Sequence, residues 1–207
     1  MTASRAYRGV PADERRAQRR RLLLEAALDC LHEDGLAAIS VRAICGRARL
    51  TPRYFYESFE DLEQLLLAAV NSVIDEVAER ALAALAEAPA ELAVQVRAAI
   101  DAGYGVVVTD ERKASAILVA ASGHGPLRAR RQQLVTDYAD LIIDGLPLLN
   151  ALGLPERRTA RTMALFVMGG AADVIEAVLS GRLRLSRTQV VDQLTTMWLA
   201  VLSGLTG

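Results

Sequence analysis

Aromatic residues are scarce in this chain, with three Phe, five Tyr and one Trp among 207 residues. A core must therefore be built mainly from aliphatic side chains, and the dominant Ala and Leu favour helix over strand. Cysteine is scarcer still. Cys30 and Cys45 stand singly inside apolar helical patterns, outside any C-x-x-C pair or His/Cys cluster, which argues against a disulfide framework or a zinc site. His32 and His124 are far apart and poorly accompanied by carboxylates, so no metal is expected. No uncharged run reaches the roughly 18 residues of a membrane span, and the N-terminus lacks the apolar core of a secretion signal. The expectation is a cytoplasmic protein with no membrane partner. Glycines are scattered, and Gly123-x-Gly125 has no flanking strand to make a phosphate loop. With no nucleophile–base pair either, neither an enzyme nor a cofactor is expected.

What is present is aliphatic and unevenly charged. Hydrophobic residues make up 52% of the chain, which is long enough for one large or two small helical domains. The net charge of −1 hides an asymmetry: up to Tyr56 eleven arginines face six acids, giving +5 and leaving −6 for the remainder. A basic head on an acidic body points to a polyanionic partner for the head alone.

Residues 1–12 have no periodicity and read as an arm. From Asp13 the apolar residues Leu23, Ala27 and Leu31 recur at helical spacing, and Gly35 is placed to close that helix as a left-handed cap. Ser40 is set as the N-cap of a short helix reaching Ala48. Thr51-Pro52 opens a third, from Arg53 to Phe59, with proline at the first position where its missing N–H does no harm. A fourth starts near Asp61 and runs towards Ala86, and Pro89 breaks the pattern. Further helices are expected over 91–108, 110–121, 126–146, 156–180 and 187–204, making an all-α chain of about nine helices.

Three short helices, the last two joined by a tight turn, describe a helix-turn-helix. Such a unit needs an apolar wedge that holds one short helix outward, so that its first side chains reach base edges. Leu23, Ala27, Leu31, Val41, Ile44, Ala48, Leu50, Phe55 and Phe59 can form the wedge, and Pro52, Arg53 and Tyr54 then project from it, with Tyr56 on the flank.

The stretch from Leu23 through Gly35, Ser40-Val-Arg-Ala-Ile44, Thr51-Pro-Arg-Tyr-Phe-Tyr56 and Phe59 to Leu65-Leu66 resembles the DNA-binding region of the TetR family of regulators. The resemblance covers roughly residues 15–70; the rest of the chain agrees in architecture alone. It implies domains at 13–60, for DNA binding, and 61–207, for effector binding and dimerisation. It implies that Arg42 contacts a base or phosphate, that Thr51 meets a phosphate, that Pro52, Arg53 and Tyr54 read bases, and that Tyr56 bonds the backbone. Two positions depart from the family pattern. Leu62 stands where a phosphate-binding lysine is usual, and Arg49 stands where the turn usually has glycine. A left-handed Arg49 costs about 1 kcal/mol and adds a cation near phosphate. Arg15, Arg16, Arg19 and Arg20 form one stripe on the first helix, read either as a solvated face or as phosphate anchors, with Arg5 or Arg8 of the arm reaching the minor groove.

Helix-turn-helix proteins usually read two half-sites as symmetric dimers. The surface for a homodimer is expected on the last two helices, at Gly169, Gly170, Val174, Leu194, Met197, Trp198 and Val201. The segment Met163–Ala172 is apolar nearly all round and is expected to be buried on more than one side. Core packing within one subunit accounts for part of the same pattern. The resemblance further implies a pocket for a small effector of unknown identity; Tyr104, Tyr138, Met163 and Phe166 read either as its lining or as plain core, and Asp173 either as a partner for a polar effector group or as one for an arginine. Asp137, Asp140 and Asp144 read as a solvated face. The expected function is a repressor that binds a palindromic double-stranded operator as a dimer and is released by the effector. The alternative is a ligand-binding or scaffold protein of the same fold that has lost DNA binding.

Overall fold

The computed structural model describes residues 12–121 and 157–203, with the isolated positions 129, 133, 136 and 137. Among the described residues every regular element is helical: α1 (Ala12–Glu33), α2 (Val41–Ala48), α3 (Pro52–Tyr56), α4 (Leu62–Glu87), α5 (Leu92–Val108), α6 (Glu111–Ala121), α7 (Arg157–Leu179) and α8 (Arg187–Ser203). The arm with Arg5 and Arg8, His124, and the expected helix over 126–146, including Tyr138, Asp140 and Asp144, lie outside the described residues but for the isolated positions. There, Gln133 Nε2 donates to Asp137 Oδ1 at 2.8 Å. The chain divides into two compact units, one through Ala69 and one from Val70.

In the first unit the helix ends follow from local chemistry. Ser40 Oγ accepts the Ala43 N–H at 3.2 Å, satisfying a donor that the start of α2 leaves without an intrahelical partner. At its other end Arg49 is left-handed, φ 54 and ψ 39. The Leu50 N–H donates to Cys45 O at 2.9 Å and the Arg49 N–H to Gly46 O at 3.2 Å, the paired bonds of a Schellman closure. Gly35 differs from expectation. Its φ of 73 is positive, but its ψ of 169 puts it in the mirror-extended region, where a Cβ is excluded. It opens a 3-10 turn, Leu36–Ala38, instead of capping α1 in the left-handed helical region. The third helix is also shorter than expected, ending at Tyr56 before the chain turns at Glu57 and Ser58. Asp61 then caps α4, its Oδ1 accepting the Gln64 N–H at 2.8 Å, while Gln64 Oε1 accepts the Glu60 N–H at 2.8 Å.

The core of this unit is aliphatic with two phenylalanines. Leu23, Ala27, Leu31, Ile44, Phe55 and Phe59 are buried, joined by Cys30, Cys45, Leu65, Leu66 and Ala69. Val41 and Ala48, the first and last residues of α2, and Leu50, in the turn that follows, are expected in the same wedge but are only half-buried. Phe55 and Phe59 rings sit 6.0 Å apart, so the short α3 is pinned by its own apolar side.

In the second unit α5 packs against α6 and α8, and α7 against α6 and α8. Tyr104, Val107, Ala116, Ala120, Val190, Val191 and Leu194 fill its core. Polar groups stitch the helices: Arg187 Nε donates to Asp101 Oδ1 at 2.8 Å, Arg97 pairs with Asp192, and Lys113 pairs with Glu76 at 2.7 Å. Gly105 lies under Arg187, where a Cβ would sit 3.0 Å from Nη2, so the guanidinium crosses α5 at a position kept bare. The expectation that Met163–Ala172 is enclosed is not met within one chain. Ala164 and Val167 are buried, but Phe166 is 73% exposed. Arg161–Leu179 is long and apolar enough to cross a membrane by length and composition, and only 11% of that stretch is buried within the chain.

Candidate nucleic-acid interface

Pro52 has no N–H to lose at the first turn of α3, and Thr51 before it is extended, φ −85 and ψ 156, which aims the helix start outward. The Thr51 hydroxyl makes no capping bond to the helix. Pro52, Arg53, Tyr54 and Tyr56 are exposed while Phe55 between them is fully buried, so α3 has one face in the core and the other in solvent. Arg42 on α2 and Arg49 in the turn are exposed beside it in sequence. Arg42, Thr51, Pro52, Arg53 and Tyr54 thus come from the starts of two consecutive short helices, and Arg49 from the turn that joins them.

The arginines of α1 are committed differently from either sequence reading. Arg16 Nη2 donates to Glu57 O at 2.7 Å and Arg20 Nη1 to Ser58 O at 3.1 Å. These carbonyls close the C-terminal end of α3, where partial negative charge accumulates and cations are favoured. Arg19 Nη2 donates to Glu57 Oε2 at 3.2 Å and its guanidinium lies 4.5 Å from the centre of the Tyr54 ring. The Arg20 guanidinium lies 4.3 Å from the Phe59 ring centre. Both rings present their negative faces to a cation. The stripe is therefore a strap over α3, and Arg16 and Arg20 stay exposed while holding it. Sequence spacing shows that these arginines share a face; it does not show that Glu57 and Ser58, about forty residues on, lie beneath it.

Charge is also spent within the unit elsewhere. Arg47 of α2 pairs with Glu33 of α1 at 2.6 Å, and the bond holds the Glu33 carboxyl below its ordinary range and the Arg47 guanidinium above its own. Burial pushes the thiols of Cys30 and Cys45 up, which suits small core hydrophobes and not reactive thiolates. Leu62, at the position where the family carries lysine, begins α4 half-buried. Among the described residues no group of His, Cys, Asp and Glu is arranged to hold a metal ion.

The residues named for an effector pocket are spread over the second unit. Tyr104 is buried in α5, its phenol pushed up by burial and drawn back by nearby Arg187. Met163 is half-buried, Phe166 and Asp173 are exposed, and Tyr138 is outside the described residues. Of the residues named for a dimer surface, Met197 is 53% exposed and Gly170 exposed, Gly169, Val174, Trp198 and Val201 are half-buried, and Leu194 is buried. Leu194 therefore serves the core of its own chain and has little surface left for a partner.

The geometry defines the class first: a helix-turn-helix unit whose short third helix carries Arg53 on its exposed side, in a chain whose described regular elements are all helical. Residues 23–69 match the family described as bacterial regulatory proteins, tetR family, which is less than a quarter of the chain. The head is a TetR-family domain, as its residues suggested. The whole chain shares the fold of solved transcriptional regulators. A putative transcriptional regulator from Pseudomonas aeruginosa PAO1 is similar at 22% identity and a TM-score of 0.74, over 97% of this chain and 95% of that one. The fatty acid degradation regulator FadR from Bacillus halodurans is similar at 15% identity and a TM-score of 0.73, over 90% and 96%. AibR, solved in complex with isovaleryl coenzyme A and operator DNA, is similar at 23% identity and a TM-score of 0.59, over 86% and 97%. No curated protein matches the chain.

Proposed function

We propose that this chain is a cytoplasmic transcription regulator, a repressor that binds a palindromic operator as a homodimer and leaves it when a small effector binds. One observation carries the reading: Pro52, Arg53 and Tyr54 stand exposed at the start of a helix whose other face is locked by Phe55 in the core. That is what reading base edges in a major groove requires. Arg53 addresses a guanine edge, Tyr54 and Pro52 supply apolar contact, and Thr51, Arg42 and Arg49 meet phosphates. AibR, which shares this fold, binds both operator DNA and an acyl coenzyme A, so the fold accommodates the two kinds of ligand proposed.

The exposed apolar side of α7 and α8 supports the dimer. Phe166 and Met197 are both more than half exposed on one chain, and Gly169 and Gly170 have nothing near their Cβ positions. A second copy seated there brings helix backbones close and covers Phe166, which makes Phe166 an interface residue and not pocket lining. Tyr104, Met163 and Asp173 of the second unit remain candidate lining for the effector site.

The second reading, a scaffold without DNA binding, is favoured by the commitment of Arg16, Arg19 and Arg20 to α3 and by Leu62. Selection from a random duplex library separates the two. The proposal expects enrichment of an inverted repeat with saturable binding that weakens steeply as salt rises. No enrichment, with only weak binding common to all sequences, overturns it in favour of the scaffold.

A further inference from the structure

Glu57 is the only acid between Asp34 and Glu60, and it sits at the end of the helix proposed to enter the groove. A carboxylate there repels phosphate, so its presence needs a reason. Both of its oxygens are occupied: Oε2 accepts from Arg19 Nη2 at 3.2 Å and Oε1 from Arg53 Nε at 3.3 Å. Its backbone carbonyl is held as well, by Arg16 at 2.7 Å. The two ion pairs are unequal. Arg19 is 21% exposed and stacked on Tyr54, whereas Arg53 is 86% exposed. Arg19 is thus the anchor, Glu57 the link, and Arg53 the group being held. The bond to Arg53 uses Nε, at 3.3 Å from Oε1, and not the outer edge formed by the two terminal nitrogens, the edge through which a guanidinium can make a forked contact.

We infer that Glu57 is a specificity-determining positioning residue: it aims the Arg53 fork at one base and, by its charge, weakens attachment to phosphate at every other sequence. The inference rests on the reading of the chain as a duplex-DNA binder. It gives a pair of effects with opposite sign. Removing the charge raises affinity for unrelated DNA while lowering the preference at the base that Arg53 reads. A residue that only stabilised α3 would lower both together.

The experiment compares wild type with Glu57→Gln and Glu57→Asp in library selection and in titration of an unrelated duplex at low salt. Glu57→Gln keeps the shape and one acceptor but loses the charge; preference at the Arg53 base falls roughly 5-fold, a fraction of a bidentate contact, and unrelated-duplex affinity rises roughly 3-fold. Glu57→Asp keeps the charge but shortens the reach; preference falls similarly and unrelated-duplex affinity stays at the wild-type value. Should Glu57→Gln fail to fold, Glu57→Asp alone still reads the positioning effect. Unchanged preference in the folded variants overturns the proposal and leaves DNA binding intact, and so does an equal loss for all sequences. A wild type that selects no site overturns both.

Discussion

Arg49→Gly separates two contributions that one residue makes. Arg49 is held at φ 54 and ψ 39 by the bonds from its own N–H to Gly46 O and from Leu50 N–H to Cys45 O. The left-handed region costs a residue with a Cβ about 1–2 kcal/mol. Glycine removes that strain but adds freedom to the unfolded chain, which offsets about 0.4–1 kcal/mol. The net expectation is a gain of about 0.5–1 kcal/mol in the stability of the first unit, since the backbone bonds are kept. At an m-value of about 1–3 kcal/mol/M, the urea midpoint rises by roughly 0.2–1 M. Binding to the selected duplex moves the other way. If the exposed side chain meets one phosphate, the slope of log affinity against log salt loses about 0.9. Equilibrium urea unfolding followed by helix signal reads the first effect, and titration at several salt concentrations reads the second. A lowered midpoint would refute the strain argument, and an unchanged slope would remove Arg49 from the phosphate contacts.

Arg20→Ala tests the strap: loss of the bond to Ser58 O and of the contact on Phe59 destabilises the first unit by about 1–2 kcal/mol in urea unfolding, given the exposure of the side chain. Affinity then falls for all duplexes with an unaltered salt slope, whereas a slope flattened by about 0.9 would return Arg20 to phosphate grip. In the second unit, Asp110 caps α6 and takes a forked pair from Arg112, whose bond holds its carboxyl below the ordinary range. A carboxyl depressed in the folded state stabilises above its unfolded pKa and loses that contribution as pH falls through the folded value. Asp110→Asn is therefore less stable than wild type at neutral pH, and the gap in urea midpoint closes below a pH of about 4; a gap that persists under acid would contradict this assignment.

Much of the first unit was legible because its signals are local. Ser40 and Thr51-Pro52 mark helix ends through their own backbone chemistry, whereas a left-handed Arg49 is raised only by the glycine usual at that position in the family it resembles. The buried set Leu23, Ala27, Leu31, Ile44, Phe55 and Phe59 follows from helical periodicity. What escaped depends on distant partners. The α1 arginines look like any basic face until Glu57 and Ser58 are brought beneath them, and Glu57 itself carries no signal apart from being a lone acid. Gly35 was identified as special, but a positive φ leaves ψ open, and the turn that follows selects the mirror-extended value. In the second unit, apolar periodicity in α7 and α8 cannot distinguish a side facing the core from one left exposed on the single chain. Leu194 and Phe166 show both outcomes within that one pattern.

The central claim is that the start of α3 reads bases in each half of a symmetric site. Library selection with Arg53→Ala tests it most directly. The account predicts an inverted repeat in which preference is lost at one base in each half-site, at mirror-related positions, with a cost of about 1–3 kcal/mol per contact. A selected sequence identical to that of wild type would contradict it.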